Sequence, residues 1–206
     1  IMKTPLHRKV ALGLLGLCAS AGRDREAVAQ VAGAELYGQD LGSFGSHLAN
    51  VGDTDGDGVD DLLVYEQFYS TSSLLYAGRV SLYSGATMAL IRTHEGTQIG
   101  EYFGWAIAGA GDVDLDGFAD YVVGSPYTSH NGFTYAGMVV VYSGATGSSL
   151  WTDYGGSTKA FFGTAVAGIG DIDGDAMSDV LVGDRFTDSA TTFDENGNVI
   201  YTITGT

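Results

Sequence analysis

The sequence predicts an all-β chain built of tandem four-stranded antiparallel units, the architecture of β-propeller blades, with about three blades present. Three observations predict it. A segment returns every 59 residues: "FGSHLANVGDTDGDGVDDLLV" begins at Phe44, "FGWAIAGAGDVDLDGFADYVV" at Phe103 and "FGTAVAGIGDIDGDAMSDVLV" at Phe162. Thirty-two glycines against two prolines divide short bursts of Val, Tyr, Phe and Thr, a composition of many short strands joined by tight turns. A unit of this size accommodates four strands and their connections, whereas a stacked β-solenoid repeats over a shorter period.

The N-terminus has the layout of an export signal over residues 1–21. Met2, Lys3, His7, Arg8 and Lys9 precede the apolar stretch 10–17, and Ala19, Ser20 and Ala21 suit a signal peptidase. The stretch is too short to span a membrane, which takes about 20 apolar residues. Cys18 is the only cysteine, and Leu17 stands where a lipoprotein signal has a small residue, so free export is favoured over lipid anchoring. The expected location is secreted, periplasmic or cell-surface. Residues 22–34 read as a linker, and 35–206 as the repeat region, with repeats at 44–102, 103–161 and 162–206.

Within each repeat the first strand is the alternating stretch 44–51 and its counterparts, whose two-residue period turns one face inward. The second is the apolar run Leu62-Leu63-Val64, Tyr121-Val122-Val123 or Val180-Leu181-Val182. The third, 79–83 or 138–142, ends in the turn Ser-Gly-Ala-Thr, and the fourth lies near 90–93 or 150–152. In the last repeat "NGNVIYTITGT" matches the third strand with a one-residue shift, so this repeat is expected to stop before its fourth strand. Three blades do not close a ring, since propellers have about four to eight. The sequence therefore reads as part of a longer gene.

Between strands one and two lie Asp53-x-Asp55-x-Asp57-Gly58-x-x-Asp61, Asp112-x-Asp114-x-Asp116-Gly117-x-x-Asp120 and Asp171-x-Asp173-x-Asp175-Ala176-x-x-Asp179. Carboxylates at alternate positions of a tight loop converge on one hard cation. Calcium takes about six to eight oxygen ligands, and the seventh-position carbonyl (Val59, Phe118 or Met177) adds one more. An EF-hand opens in the same way but closes with a glutamate at position twelve, where this chain has Val64, Val123 and Val182 inside the strand. The loop therefore closes at position nine. Ala176 replaces the turn glycine in the third copy, and a Cβ at positive φ costs about 1 kcal/mol, so that site is expected to bind most weakly. Asp60, with Ala119 and Ser178 as counterparts, is not a ligand.

The Phe-Gly start, the aspartate loop and, in the second unit, Gly124-Ser125-Pro126 resemble FG-GAP repeats, the blades of the integrin α-subunit propeller and of many secreted bacterial proteins. The resemblance implies a propeller usually of seven blades, calcium in the aspartate loops, and ligand binding on the opposite face. That face is formed by the loops 66–76, 125–135 and 184–195, which carry the non-repeating Tyr69, His130 and Phe133. Phe44, Phe103, Phe162, Tyr83 and Tyr142 are expected in the core, and the recurring Phe68, Tyr127 and Phe186 are assigned to packing rather than ligand binding.

From residue 30 onward only Arg79, Arg92, Lys159 and Arg185 stand against 23 Asp and Glu. Such a surface repels nucleic acid and anionic membrane and favours cations as partners. No nucleophile elbow, phosphate loop or metal-binding histidine pair appears, so no catalytic residue is assigned. The function expected is an exported calcium-binding module for adhesion to protein or glycan ligands. The alternatives are the non-catalytic propeller of a larger extracellular lyase or phospholipase, or a structural spacer in a surface protein.

Overall fold

The computed structural model describes Leu36, Gly38 and residues 42–205; the export signal and the linker read from the sequence lie outside them. The described chain is three four-stranded antiparallel sheets in sequence order. The first contains β1 (Phe44–Gly52), β2 (Asp61–Glu66), β3 (Arg79–Tyr83) and β4 (Leu90–Glu95). The second contains β5 (Ala106–Gly111), β6 (Asp120–Ser125), β7 (Met138–Tyr142) and β8 (Ser149–Tyr154). The third contains β9 (Phe162–Gly170), β10 (Asp179–Asp184), β11 (Ser189–Phe193) and β12 (Val199–Thr204). No α-helix occurs among the described residues, so none is long and apolar enough to cross a membrane.

The second strand of each sheet is apolar at consecutive positions because both its faces are covered. Leu62 and Val64 turn one way, joining Leu36, Phe44 and Tyr83. Leu63 and Tyr65 turn the other way and, with Val80 and Leu82, pack on Phe103, Tyr121 and Val123 of the second sheet. The contact repeats one blade on, where Val122, Val139, Val141 and Trp151 meet Phe162, Val180, Val182 and Phe193. Each such side chain contributes about 1.5–3 kcal/mol by leaving water, so face-to-face stacking of sheets holds the chain together without any disulfide. The glycine of the Phe-Gly start permits the close approach. Gly104 sits at φ 98°, and a Cβ there would lie 2.4 Å from Val80 and 2.7 Å from the Tyr65 ring.

The first strand of the second blade, β5, lies between β1 and β9, so the sheets are arrayed side by side about their first strands as propeller blades are. Phe44, Phe103 and Phe162 are buried as expected, as is Tyr83, while Tyr142 is half-buried against the first blade-to-blade core.

The third blade differs from the sequence expectation. It is a complete four-stranded blade: Ser189–Phe193 is its third strand and Val199–Thr204 its fourth, paired Thr192 to Tyr201. The connection from β10 to β11 is only residues 185–188, where the first two blades have 67–78 and 126–137. The expected loop 184–195 therefore does not exist as a loop. Both a third and a fourth strand alternate after a tight turn, and the turn of "NGNVIYTITGT" belongs to the β11–β12 hairpin, where Gly197 is left-handed at φ 78°.

Candidate metal centres and the opposite face

Antiparallel order puts the β1–β2 loop and the β3–β4 turn at one end of a blade. The β2–β3 loop and the link to the next blade lie at the other. Before each aspartate loop the first strand bulges. Asn50 pairs with Leu62 and Gly52 with Asp61, leaving Val51 unpaired, and the second blade repeats this at Gly109 and Gly111. Gly52, Gly111 and Gly170 are left-handed there, which re-aims the chain out of the strand and into the loop.

Each loop is then wound around its first aspartate. Asp53 accepts the N–H groups of Gly56 (2.7 Å) and Gly58 (2.8 Å), Asp112 those of Asp116 (3.1 Å) and Gly117 (3.0 Å), and Asp171 those of Gly174 (2.6 Å) and Ala176 (2.9 Å). The third and fifth positions make local turns. Asp55, Asp114 and Asp173 accept from the residue two later, as Asp57, Asp116 and Asp175 accept from Val59, Phe118 and Met177. The first aspartate of each loop thereby accepts backbone amides with both its oxygens and the third and fifth with one each, which gathers the aspartates into one group. Carboxylate oxygens lie within 4.8 Å of one another in Asp53, Asp55 and Asp57, in Asp112, Asp114 and Asp120, and in Asp171, Asp173 and Asp179. Asp60 accepts the Asn50 side-chain amide at 2.9 Å.

The ninth-position aspartates are the buried members: Asp61, Asp120 and Asp179 are 1%, 0% and 0% exposed. One oxygen of each accepts the N–H of the loop's second residue, Thr54, Val113 or Ile172. The other accepts the glycine N–H of the Ser-Gly-Ala-Thr turn, Gly85 at 2.9 Å and Gly144 at 2.8 Å. The third blade has no such glycine: Glu195 occupies its place after β11, and Asp179 Oδ1 is buried without a partner. A buried carboxylate oxygen without a donor is costly unless a cation or proton meets it.

Burial first and charge crowding second shift these groups. Burial, with Asp114 and Asp116 adding repulsion, pushes Asp120 up to about 6. Burial and then the other loop carboxylates raise Asp179 and Asp55, whereas backbone N–H groups hold Asp171 low. Oxygen-only clusters of excess negative charge match a hard divalent cation.

Two features of the loops were not read from the sequence. Ala176 is left-handed at φ 77° as anticipated, but the fourth position is left-handed too, and there the second loop carries Leu115 at φ 58° where the others have Gly56 and Gly174. Successive loops are also joined. The Ala119 N–H donates to the Asp53 carbonyl (2.9 Å) and the Ser178 N–H to the Asp112 carbonyl (3.2 Å). The recurring Ser-Gly-Ala-Thr was the signal that could have revealed the glycine contact.

On the opposite face the loop residues divide. Tyr69 is buried beneath the Arg79 guanidinium, which lies 4.1 Å from its ring centre and pairs with the buried Glu66 at 2.7 Å. His130 stacks on Tyr154 at 3.6 Å, while Phe133 is exposed. Of the recurring aromatics assigned to packing, Phe68 and Tyr127 are more than half covered and make edge contacts with neighbouring rings, whereas Phe186 is 66% exposed.

A family model for the FG-GAP repeat matches residues 44–83 and 103–142. Among curated proteins, mouse integrin alpha-2 is 37% identical over 164 residues, covering 71% of this chain and 13% of the integrin. Human integrin alpha-IIb is 34% identical over 165 residues, 72% of this chain and 15% of the integrin. The chain thus spans a small fraction of these relatives. Among solved structures, a rhamnogalacturonan lyase of Bacillus licheniformis aligns over 77% of this chain and 34% of the lyase with TM-score 0.53 and 16% identity, a likeness of fold alone. With the family's repeats matched in its first two blades and integrin α chains matching across most of its length, this chain is an FG-GAP repeat protein.

Proposed function

We propose that this FG-GAP propeller segment is an exported calcium-binding module whose aspartate loops hold calcium as a structural brace, while its opposite face binds a protein or glycan ligand. The observation that carries the calcium reading is the trio of three-carboxylate clusters on one end. Asp53, Asp55, Asp57 and Asp61, Asp112, Asp114, Asp116 and Asp120, and Asp171, Asp173, Asp175 and Asp179 would hold the ion, with the carbonyls of Val59, Phe118 and Met177 completing each set.

Extracellular calcium modules have Kd of about 10⁻⁴ to 10⁻³ M, so roughly millimolar calcium contributes about 0.4–1.4 kcal/mol per site. A contribution this small and this constant suits a brace rather than a signalling switch. It is substantial against a stability of ~5–15 kcal/mol. The melting temperature is expected to fall on addition of EDTA and to recover with calcium; indifference to both would end the calcium reading. The second reading, a non-catalytic propeller within a larger extracellular lyase, is favoured by the likeness of fold to lyases and predicts lyase activity in the full-length protein but none in this segment.

A further inference from the structure

We propose that the aromatic arc on the face opposite the aspartate loops is a platform for an uncharged polysaccharide, with one stacking subsite at each boundary between blades; this rests on reading that face as the ligand face. At the first boundary Tyr76 and Tyr102 stack at 6.1 Å with 7° between ring planes, and Phe68 meets both edge-on at 5.7 and 6.3 Å. At the second, 59 residues on at every position, Tyr135 and Phe161 stack at 5.9 Å, and Tyr127 meets them edge-on at 5.8 and 5.7 Å. Tyr102 touches Tyr127 at 5.4 Å, and Trp105 bridges the two, so the rings form one arc.

Core packing does not account for this arrangement. Tyr76 is 48% and Tyr135 40% exposed. Tyr76, Tyr102, Tyr135 and Phe161 all stand at φ between 51° and 55°, a left-handed conformation that costs a bulky residue about 1–2 kcal/mol. Ser43, the counterpart of Tyr102 and Phe161, is left-handed too, so the blade junction imposes the conformation, and bulky rings stand there despite its cost. The rings are also held in place: Ser70 and Ser129, 59 residues apart, accept the N–H groups of Tyr76 (2.9 Å) and Tyr135 (3.3 Å). The Tyr76 and Tyr135 carbonyls accept those of Tyr102 and Phe161, each at 3.1 Å. A rigid platform loses little entropy on binding.

Charge selects the occupant. Residues 67–76 and 126–135 contain no Asp, Glu, Lys or Arg, while 13 acids lie in the aspartate loops. These two loops offer no ion pair to a charged partner, the exposed Lys159 and Arg185 of the same face standing outside them, and the chain as a whole repels polyanions. Exposed aromatic faces complement the C–H face of a sugar ring. The exposed Ser72, Ser73, Asn131 and Thr134 beside them supply hydrogen bonds to hydroxyls. Two equivalent subsites on adjacent blades fit a ligand whose own units repeat.

The test is calorimetric titration of the whole chain in calcium with neutral glucans, mannans and xylans, and with polygalacturonate and heparin, following Trp105 fluorescence in parallel. The proposal predicts binding of a neutral polymer that tightens with chain length, weakens about three- to tenfold in Tyr76→Ala or Tyr135→Ala, and vanishes in the double variant with melting unchanged. Should the double variant fail to fold, quenching of Trp105 by the neutral polymer in the wild type decides. Absence of neutral-polymer binding, preference for the acidic polymers, or binding indifferent to both tyrosines would overturn it. A protein ligand lost with these tyrosines would overturn the polysaccharide while leaving the binding-face reading standing.

Discussion

Replacing Gly144 with alanine puts a Cβ 1.8 Å from the Ala119 carbonyl oxygen, 2.9 Å from its carbon and 3.0 Å from Thr54 Cβ. The obstructing oxygen belongs to the backbone of the second aspartate loop, so no side-chain rotation relieves it, and the Ser-Gly-Ala-Thr turn must lift off the loop. Lifting stretches the 2.8 Å bond from the Gly144 N–H to Asp120, whose carboxylate is fully buried. A hydrogen bond to a charged group is worth about 1.5–3 kcal/mol and overpacking costs about 1–3, which together give about 2.5–6 kcal/mol. For a chain of this size, each kcal/mol shifts the melting temperature by about 2–4 °C, so scanning calorimetry should show a loss of roughly 5–24 °C. Gly117→Ala is the control. It sits at φ 92° in the same loop with no atom within 4 Å of the added Cβ, so only backbone strain opposes it. That strain, about 1 kcal/mol and partly offset by a stiffer unfolded chain, should lower melting by less than about 4 °C. Equal effects from the two substitutions, or wild-type melting in Gly144→Ala, would refute the seating of turn on loop.

Other expectations bear on the loops and the blade boundary. Leu115→Gly and Ala176→Gly each remove a left-handed side chain and should tighten calcium at their own loop by a few-fold, read by calorimetry. Backbone hydrogen bonding is the largest influence on Glu195 and acts downward, but burial and then the charges of Asp194 and Asp175 outweigh it and raise the group. Glu195→Gln should therefore raise the melting temperature in EDTA and shrink the increment calcium adds. His94 lies between the first two blades, stacked on Tyr142 at 4.0 Å with Nε2 2.8 Å from the Tyr121 hydroxyl, and burial and then Arg92 lower it to about 4. The unfolded chain takes up this proton near the ordinary value of about 6.5, so stability should fall as pH drops from there toward 4. His94→Gln should flatten that slope in urea titrations; an unchanged slope would count against the assignment.

The repeat made much of this legible because blades one and two share one length. Arg79–Tyr83 and Met138–Tyr142 begin and end where the alternation before Ser-Gly-Ala-Thr placed them. The third blade was misread for the same reason: periodicity assumes equal loops, yet exposed loops tolerate deletion freely. With eight residues fewer between strands two and three, its fourth strand fell near the register of a third. The aspartates were readable as a pattern, but the partners of Asp61 and Asp120 come from a turn 24 residues away, a contact made only when the blade folds. Phe68, Tyr76 and Tyr102 recur individually in the sequence, but their stacking across a blade boundary follows from the rotation between sheets, which no spacing records.

The central claim is that each aspartate loop holds a calcium ion that braces the blades. Isothermal titration of calcium into chelator-stripped protein, run beside a variant carrying Asp53→Asn, Asp112→Asn and Asp171→Asn, tests it most directly. The account predicts one calcium per aspartate loop in the native chain, the last bound weakly, and no binding in the variant. Equal heats from the two proteins, or no binding to either at millimolar calcium, would contradict it.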